Sequence, residues 1–219
     1  MNVGILGGTG PAGSGLAARL ADAGLEVVIG SRTKERALEV CEELRKRWPD
    51  KNLALEAGDN MRAASAEVVI VATPWNAAAV TVASVSGRIT GKVVISMANA
   101  LEKVGAEFEP LIPPRGSVAA HVQAAAPGAL VSAAFQHLPA KALSELDKPI
   151  DADVLVCSDH RYAYDATAEL VGLIPDLRPL NAGSLSNAAP IESITAVLLQ
   201  LNVRYKTRAA IKFTGIKLP

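Results

Sequence analysis

Hydrophobic positions fall into short apolar runs separated by amphipathic stretches, the alternation expected of βαβ units. A run from Val3 ends in glycines, and a helical pattern follows, with Leu16 and Leu20 at helical spacing over residues 15–23 and Gly24 closing it. Residues 25–30 are rich in β-branched side chains and read as a second strand. A charged helix over 34–48 puts Ala37, Val40, Cys41 and Leu44 on one face before Pro49 breaks it. A short strand at 53–56 and a short helix at 58–65 precede an almost continuous apolar run at 67–73. That run suits a parallel strand covered on both faces. A helix over 76–85 and a buried strand over 91–96 repeat the unit.

The second half is less regular. Pro110, Pro113 and Pro114 make 101–115 a loop or broken helix, and an alanine-rich helix at 117–126 stops at Pro127-Gly128. A domain boundary is expected there. Residues 1–128 would form a doubly wound parallel sheet, and 129–219 a smaller α/β domain closing a cleft. The smaller part reads as strands at 129–135 and 153–157, a helix at 160–174, an extended piece at 177–181 and a long helix at 187–210. The apolar face of that last helix includes Ile191, Ile194, Leu198, Leu201 and Tyr205.

Gly8, Gly10 and Gly13 fit G-x-G-x-x-G between the first strand and helix, the Rossmann fingerprint of a dinucleotide site. Gly8 would permit the tight turn, Gly10 the approach of a pyrophosphate, and Gly13 close packing of helix on strand. The tip of the second strand selects the dinucleotide. A carboxylate there would hold the ribose 2′-OH of NAD, but the chain reads Gly30-Ser31-Arg32, with Lys34 and Arg36 behind. A serine and a guanidinium suit the 2′-phosphate of NADP. Thr73 and Pro74, at the exit of a central strand, are placed to touch the cofactor, whereas Trp75 is either a pocket wall or a helix-packing aromatic.

Composition narrows the function. Twenty-two basic residues balance 22 acidic ones, which argues against nucleic acid as a partner. Cys41 and Cys157 lie far apart, outside any metal spacing, and the three histidines are scattered, so no metal is expected. No long uncharged apolar span or secretory pattern is seen, so the expectation is a cytoplasmic protein with no membrane partner. With no nucleophile motif, the simplest chemistry is the cofactor's own hydride transfer. His137, just beyond a strand, is either a site-lining group that assists protonation or a loop histidine with a satisfied ring. Glu192, Ser193 and Thr195, early in the long helix, either cap it or form a second polar site.

Gly7-Gly8-Thr9-Gly10 with Gly13, Gly30-Ser31-Arg32, Thr73-Pro74-Trp75, Leu138-Pro139-Ala140, Leu180-Asn181-Ala182-Gly183 with Ser186-Asn187, and Glu192-Ser193 recur in an order that resembles the NADPH-dependent coenzyme F-420 (F420) reductases over nearly the whole chain. The resemblance implies an enzyme that passes hydride directly between NADP(H) and an 8-hydroxy-5-deazaflavin co-substrate, F-420, and it implies a homodimer. It places Thr9, Pro11, Ala12, Ser31, Arg32 and Arg36 around the adenylate and phosphates, and Thr73, Ala77, Asn99 and Ala140 near the nicotinamide half. Gln136, Leu138, Ser193, Thr195 and Ile211 match positions around the deazaflavin. Two departures stand out. Some relatives carry histidine at Gln136 and arginine at Ala189, so those roles would move to His137 or Arg204. An NADPH-dependent reductase of a flavin, ferric complex or small imine, or an NADP-sensing module, would share the Rossmann half.

Overall fold

A computed structural model describes residues 1–216. The strands are β1 Asn2–Leu6, β2 Glu26–Ser31, β3 Leu55–Asp59, β4 Val68–Val71, β5 Val93–Ser96, β6 Leu101–Val104, β7 Glu107–Pro110, β8 Leu130–Ala133, β9 Ala152–Ser158 and β10 Leu177–Asn181. The helices are α1 Pro11–Asp22, α2 Lys34–Arg47, α3 Asn60–Ala63, α4 Trp75–Ser84, α5 Ser86–Ile89, α6 Val118–Ala125, α7 Ala140–Leu143, α8 Arg161–Gly172 and α9 Ala188–Tyr205. Eight strands form one sheet in the order β10-β9-β8-β5-β4-β1-β2-β3, parallel except where β9 meets β8. β9 and β10 run parallel to each other.

Strict alternation along the central strands explains the core. Val3, Ile5, Val27, Ile29, Ile70 and Ile95 face one layer, with Leu16, Leu20, Val40 and Leu170. Leu6, Val28, Val69, Val71 and Val94 face the other, with Ala78, Val82 and Val122. Successive strand side chains point to opposite faces, so a strand buried on both sides must be apolar at every position. β2 and β3 extend the sheet to one side of β1, whereas β4, β5 and β8 extend it to the other. The direction of winding therefore reverses between β1 and β4, where a doubly wound sheet leaves a crevice at its carboxyl edge.

Three expectations are corrected. Residues 101–110 form the antiparallel hairpin β6–β7, turning at Gly105 with φ +60, rather than a loop or broken helix. Pro110 sits at the last position of this two-stranded ribbon, where its missing N–H is tolerated. The long helix ends at Tyr205, because Lys206 turns left-handed at φ 49. Its buried face is Ala188, Ile191, Glu192, Thr195, Ala196 and Leu198. Ile194 and Tyr205, expected inside, are 39% and 73% exposed. β8 pairs in parallel with β5, so the sheet runs on past residue 128. Residues 217–219 of the expected tail lie outside the described residues.

Two buried charges hold the second half in place. Arg19 on α1 is 5% exposed and donates to the carbonyls of Ala142, Leu143, Glu145 and Lys148, closing α7 and the turn after it. Asp153 on β9 has a fully buried side chain, accepting from Arg178 at 2.6 and 2.7 Å and from the Phe213 N–H at 2.6 Å. Arg178 also donates to the Phe213 and Ile216 carbonyls, so the pair clamps the tail onto the sheet edge.

Removing one partner of a buried pair strands the other charge. Arg178→Met is therefore expected to lower stability at neutral pH in urea unfolding, because it leaves the buried Asp153 carboxylate without its cation. The Arg178 guanidinium holds the Asp153 carboxyl below its usual range. Its contribution is present above the unfolded carboxyl pKa and disappears as pH falls through the depressed folded value. The gap between the two proteins should close in acid, and a gap that persists there would refute this account.

Candidate functional site

A cleft of ≈ 990 Å³ opens at the winding reversal, between the glycine turn, the tip of β2 and the exit of β4. Thr9, Gly10, Pro11, Ala12, Gly13, Ser31, Arg32, Arg36, Thr73, Pro74 and Ala77 line it. It also takes in Thr33, Asn60, Ala72, Thr81 and Met97, which sequence reasoning missed. Trp75 is a packing aromatic, set against the core layer of α4 and α6.

The turn is built differently from the expectation at one position. Gly7, not Gly8, has the left-handed backbone, φ +65, and a Cβ there would sit 2.5 Å from Thr73 Cγ2. Gly8 instead packs on Ile5 and Ile29. A Cβ on Gly13 would lie 2.9 Å from Gly8 Cα, so helix and turn touch by backbone. A Cβ on Gly10 would meet nothing within 4 Å, which leaves room beside the start of α1. That helix has Pro11 at its first turn and no side-chain cap, so its free N–H groups face the cleft. Asn60 Oδ1 accepts from the Gly7 N–H at 3.1 Å and fixes the turn. No local signal marked Asn60, since its partner lies 53 residues away.

At the tip of β2, Ser31 is buried, while Arg32 and Arg36 are exposed along the rim. Arg36 pairs with Glu39 at 2.8 Å. Thr33 precedes α2 without capping it by a side-chain hydrogen bond, so a second uncapped helix start faces the same end of the cleft.

A second pocket of ≈ 200 Å³ adjoins the first, and both are lined by Ala12 and Met97. It gathers Asn99, Gln136, His137, Leu138, Ala140 and Thr195, together with Leu198, Asn202 and Ala209. Asn99 and Ala140, expected beside the cofactor, line this smaller pocket and not the large cleft. Ser193 and Ile211 do not line the pocket. The Ser193 hydroxyl donates to the Ala189 carbonyl, and the Ile211 carbonyl accepts from the Asp153 N–H. Asn99 Nδ2 donates to the Gln136 carbonyl at 2.6 Å, and the Thr195 hydroxyl reaches the same oxygen at 3.4 Å. The residue before it, Phe135, is buried yet left-handed at φ 67, a conformation worth about 1–3 kcal/mol of strain for a bulky side chain.

Three polar groups here lack partners. Thr73 Oγ1, both atoms of the Gln136 amide and His137 Nδ1 are buried without a hydrogen bond. Buried polar groups are almost always satisfied, so these atoms call for partners that the protein itself does not supply. His137 is 2% exposed, and its Nε2 lies 3.0 Å from the Asp153 carbonyl. The Leu155 N–H also lies 3.4 Å from Nε2, so the ring is anchored to β9 through that atom, and burial lowers its pKa.

Glu192 is structural rather than ligand-facing. Its carboxylate accepts from the Val118 and Ala119 N–H groups at 2.8 and 3.1 Å and caps α6 from α9. The stretch Ala182–Asn187 is likewise a self-bonded turn. The Asn187 amide donates to the Ala182 carbonyl, and Asn181 Oδ1 accepts from the Gly183 N–H. It aims α9 so that Thr195 reaches the pocket. Arg204, on the exposed side of α9, pairs with Glu107 and takes no part in the pocket.

Residues 2–100 match a protein family described as NADP oxidoreductase, coenzyme F420-dependent. The chain is 37% identical to the F420-dependent NADP reductase of Methanothermobacter thermautotrophicus, over 99% of this chain and 96% of that protein. It is 34% identical to the F420-dependent NADP reductase of Methanocaldococcus jannaschii, over 100% of this chain and 98% of that protein. An Arthrobacter sp. crystal structure, provisionally assigned as an F420-dependent NADP-reductase, superposes with a TM-score of 0.78 at 24% identity, covering 97% of this chain and 100% of that one. At that identity the superposition shows the fold alone.

Burial raises the Glu192 carboxyl from 4.5 to about 7 against the pull of its two N–H bonds. The folded state therefore holds a proton that the unfolded chain has lost, and its stability falls as pH rises from 4.5 through 7. Glu192→Gln removes this slope. The stability of wild type relative to the variant should drop by at most about 3 kcal/mol between pH 4.5 and pH 8, as read by urea unfolding at each pH. His137 titrates in both proteins and cancels. A difference flat in pH would show that the carboxylate is not buried in this way.

Proposed function

The chain belongs to the family of F420-dependent NADP reductases, and on that premise we propose how its two pockets divide the work. It is an oxidoreductase that exchanges hydride between NADP(H) and coenzyme F420. The observation that carries the division is that the large cleft and the smaller pocket meet at Ala12 and Met97, so that ring systems held in each would face one another there. When bound, the nicotinamide would supply the hydride donor or acceptor.

The protein's contribution is position. The N–H groups at the start of α1, with Thr9, Gly10, Pro11, Ala12 and Gly13, hold the pyrophosphate. Ser31, Arg32 and Arg36 hold the 2′-phosphate. Thr73, Pro74, Ala77, Asn99 and Ala140 orient the nicotinamide half. Gln136, Leu138 and Thr195 hold the deazaflavin, while Ser193 and Ile211 support it through the backbone of α9 and the tail. In this reading residues 1–128 carry NADP(H) and residues 129–219 close over the second reactant. Fixing two reactants in contact replaces most of the entropy loss of a bimolecular step.

A homodimer in the cytoplasm belongs to the same reading. Ile194, Val197 and Tyr205 form an apolar stripe on the outer face of α9, 39%, 56% and 73% exposed. Val104 and Ile112 are exposed on and beside the hairpin that packs on this helix. A patch of that kind suits a second copy of the chain. Cys41 and Cys157 are free thiols, as a reducing compartment requires.

Purified protein mixed with NADPH and oxidised F420 should bleach the visible absorbance of the deazaflavin. Turnover of a flavin or cyclic imine, with none of F420, would defeat the assignment. Arg32→Ala should raise the Kd for NADPH about tenfold to a hundredfold and leave NADH nearly unchanged, because only NADPH carries the 2′-phosphate. Equal losses for both nucleotides would remove Arg32 from that role.

A further inference from the structure

Residues 139–148 bring Pro139 and Ala140 into the wall of the smaller pocket, yet they belong to no strand. α7 is a single turn, and the backbone bonds here stay within the segment. Leu143 donates to Pro139, Ser144 to Ala140, Glu145 to Ala142 and Lys148 to Glu145. Among the described residues, the hydrogen bonds that reach this backbone from outside come from one side chain, Arg19 on α1. Its Nε donates to the Leu143 carbonyl at 3.1 Å, and its Nη2 to those of Ala142 and Lys148 at 2.8 Å and to that of Glu145. Leu143 and Leu146 are buried in the core, but apolar contact has no direction and does not fix the height or tilt of the segment. A planar guanidinium, with its donors in a rigid fork, does.

Arg19 shares a stripe of α1 with Ala12 and Gly15, the spacing that puts side chains on one helix face. Ala12 lines both pockets. A Cβ on Gly15 would lie 3.0 Å from Leu143 Cβ and 3.1 Å from the Ser144 nitrogen, so α7 rests on the helix itself. We infer that Arg19 is a positioning residue for hydride transfer, tying the wall of the smaller pocket to the helix whose first turn faces the large cleft. Resting on the functional reading above, this clasp holds the second reactant in register with the nicotinamide. Arg19 lines neither pocket. Its loss should therefore slow the transfer and leave NADP(H) binding as it was. A misplacement of about 1 Å between reacting groups costs on the order of a hundredfold in rate.

The test uses Arg19→Met, Arg19→Lys and Gly15→Ala. The lysine keeps the charge, but one nitrogen cannot span carbonyls from Ala142 to Lys148. The added methyl of Gly15→Ala displaces α7 with the arginine intact. In single-turnover mixing of NADPH-loaded protein with saturating oxidised F420, both arginine variants should transfer hydride about tenfold to a hundredfold more slowly, and Gly15→Ala should also be slower. The NADP+ Kd should not change. Amide hydrogen exchange of the ligand-free proteins should quicken at residues 142–148 more than along α1. An unchanged transfer rate in the arginine variants, a full wild-type rate in Arg19→Lys, an NADP+ Kd raised along with the lost rate, or exchange quickened equally in both elements would overturn the proposal. If neither arginine variant folds, Gly15→Ala decides, a slower transfer supporting the clasp and an unchanged rate overturning it. Wild type that binds NADPH but passes no hydride to F420 fails the functional reading instead. Hydrogen exchange then decides alone, a change confined to 142–148 supporting the clasp and an even change overturning it.

Discussion

The guanidinium of Arg19 sets the distance between the two halves of this molecule. It lies on α1, the helix whose first turn faces the large cleft, and it binds four carbonyls of residues 142–148. That segment follows Pro139 and Ala140, which line the smaller pocket. Each pocket therefore hangs from the same helix, one at its start and one through its side. Burial lowers the Arg19 pKa, as expected for a cation removed from water. The Ala142 and Glu145 carbonyls also accept from the Glu145 and Lys148 N–H groups, so the guanidinium adds to the turn's own bonds at the end of α7. Glu145 extends the clasp, since its side chain pairs with Arg208 beside Ala209 of the pocket wall.

Among the described residues, five buried side chains keep polar atoms without partners, Trp48, Thr73, Ser96, Gln136 and His137, and three of them line the pockets. Away from the pockets, buried charges such as Arg19, Asp153 and Glu192 have a full set of partners. Around the pockets, Thr73, Gln136 and His137 keep unbonded atoms in buried positions. A fold selected for stability alone would replace those atoms with carbon. Their presence fits a protein that gives up some stability when empty so that bound rings and phosphates find preorganised partners.

The glycine fingerprint, the basic tip of β2 and the apolar central strands could be read directly because their causes are local. A turn needs glycine within a few residues, and a doubly covered strand is apolar at successive positions. What escaped reading depends on distant partners. Arg19 looks like an ordinary helix arginine beside Leu16 and Leu20 until its carbonyls arrive from 123 to 129 residues away. The outer stripe of α9 is as apolar as its inner face, so periodicity alone chose Ile194 and Tyr205 for the core. The hairpin at 101–110 was hidden by prolines that do break helices but are harmless at the end of a two-stranded ribbon. The signature at 182–193 pointed to the right family, yet most of its side chains build a turn and a cap. A sequence pattern does not separate residues that touch a ligand from residues that aim those that do.

The smaller pocket exists because one ladder stops early. β8 and β9 pair only at Ser132–Ser158 and Ala133–Cys157. Continued in register, His137 would stand opposite Asp153. Phe135 prevents this by turning left-handed, and the chain peels away from β9 at that point. The imidazole of His137 then covers the Asp153 carbonyl that the missing ladder leaves bare. The space opened by the peeling is lined by Phe135, Gln136 and Leu138. The strain at Phe135 and the buried ring of His137 are thus two parts of one device, which ends a sheet where a ring can enter. A proton-relay role for His137 would compete with this duty, because turning the ring to serve the pocket would expose an unpaired carbonyl on β9.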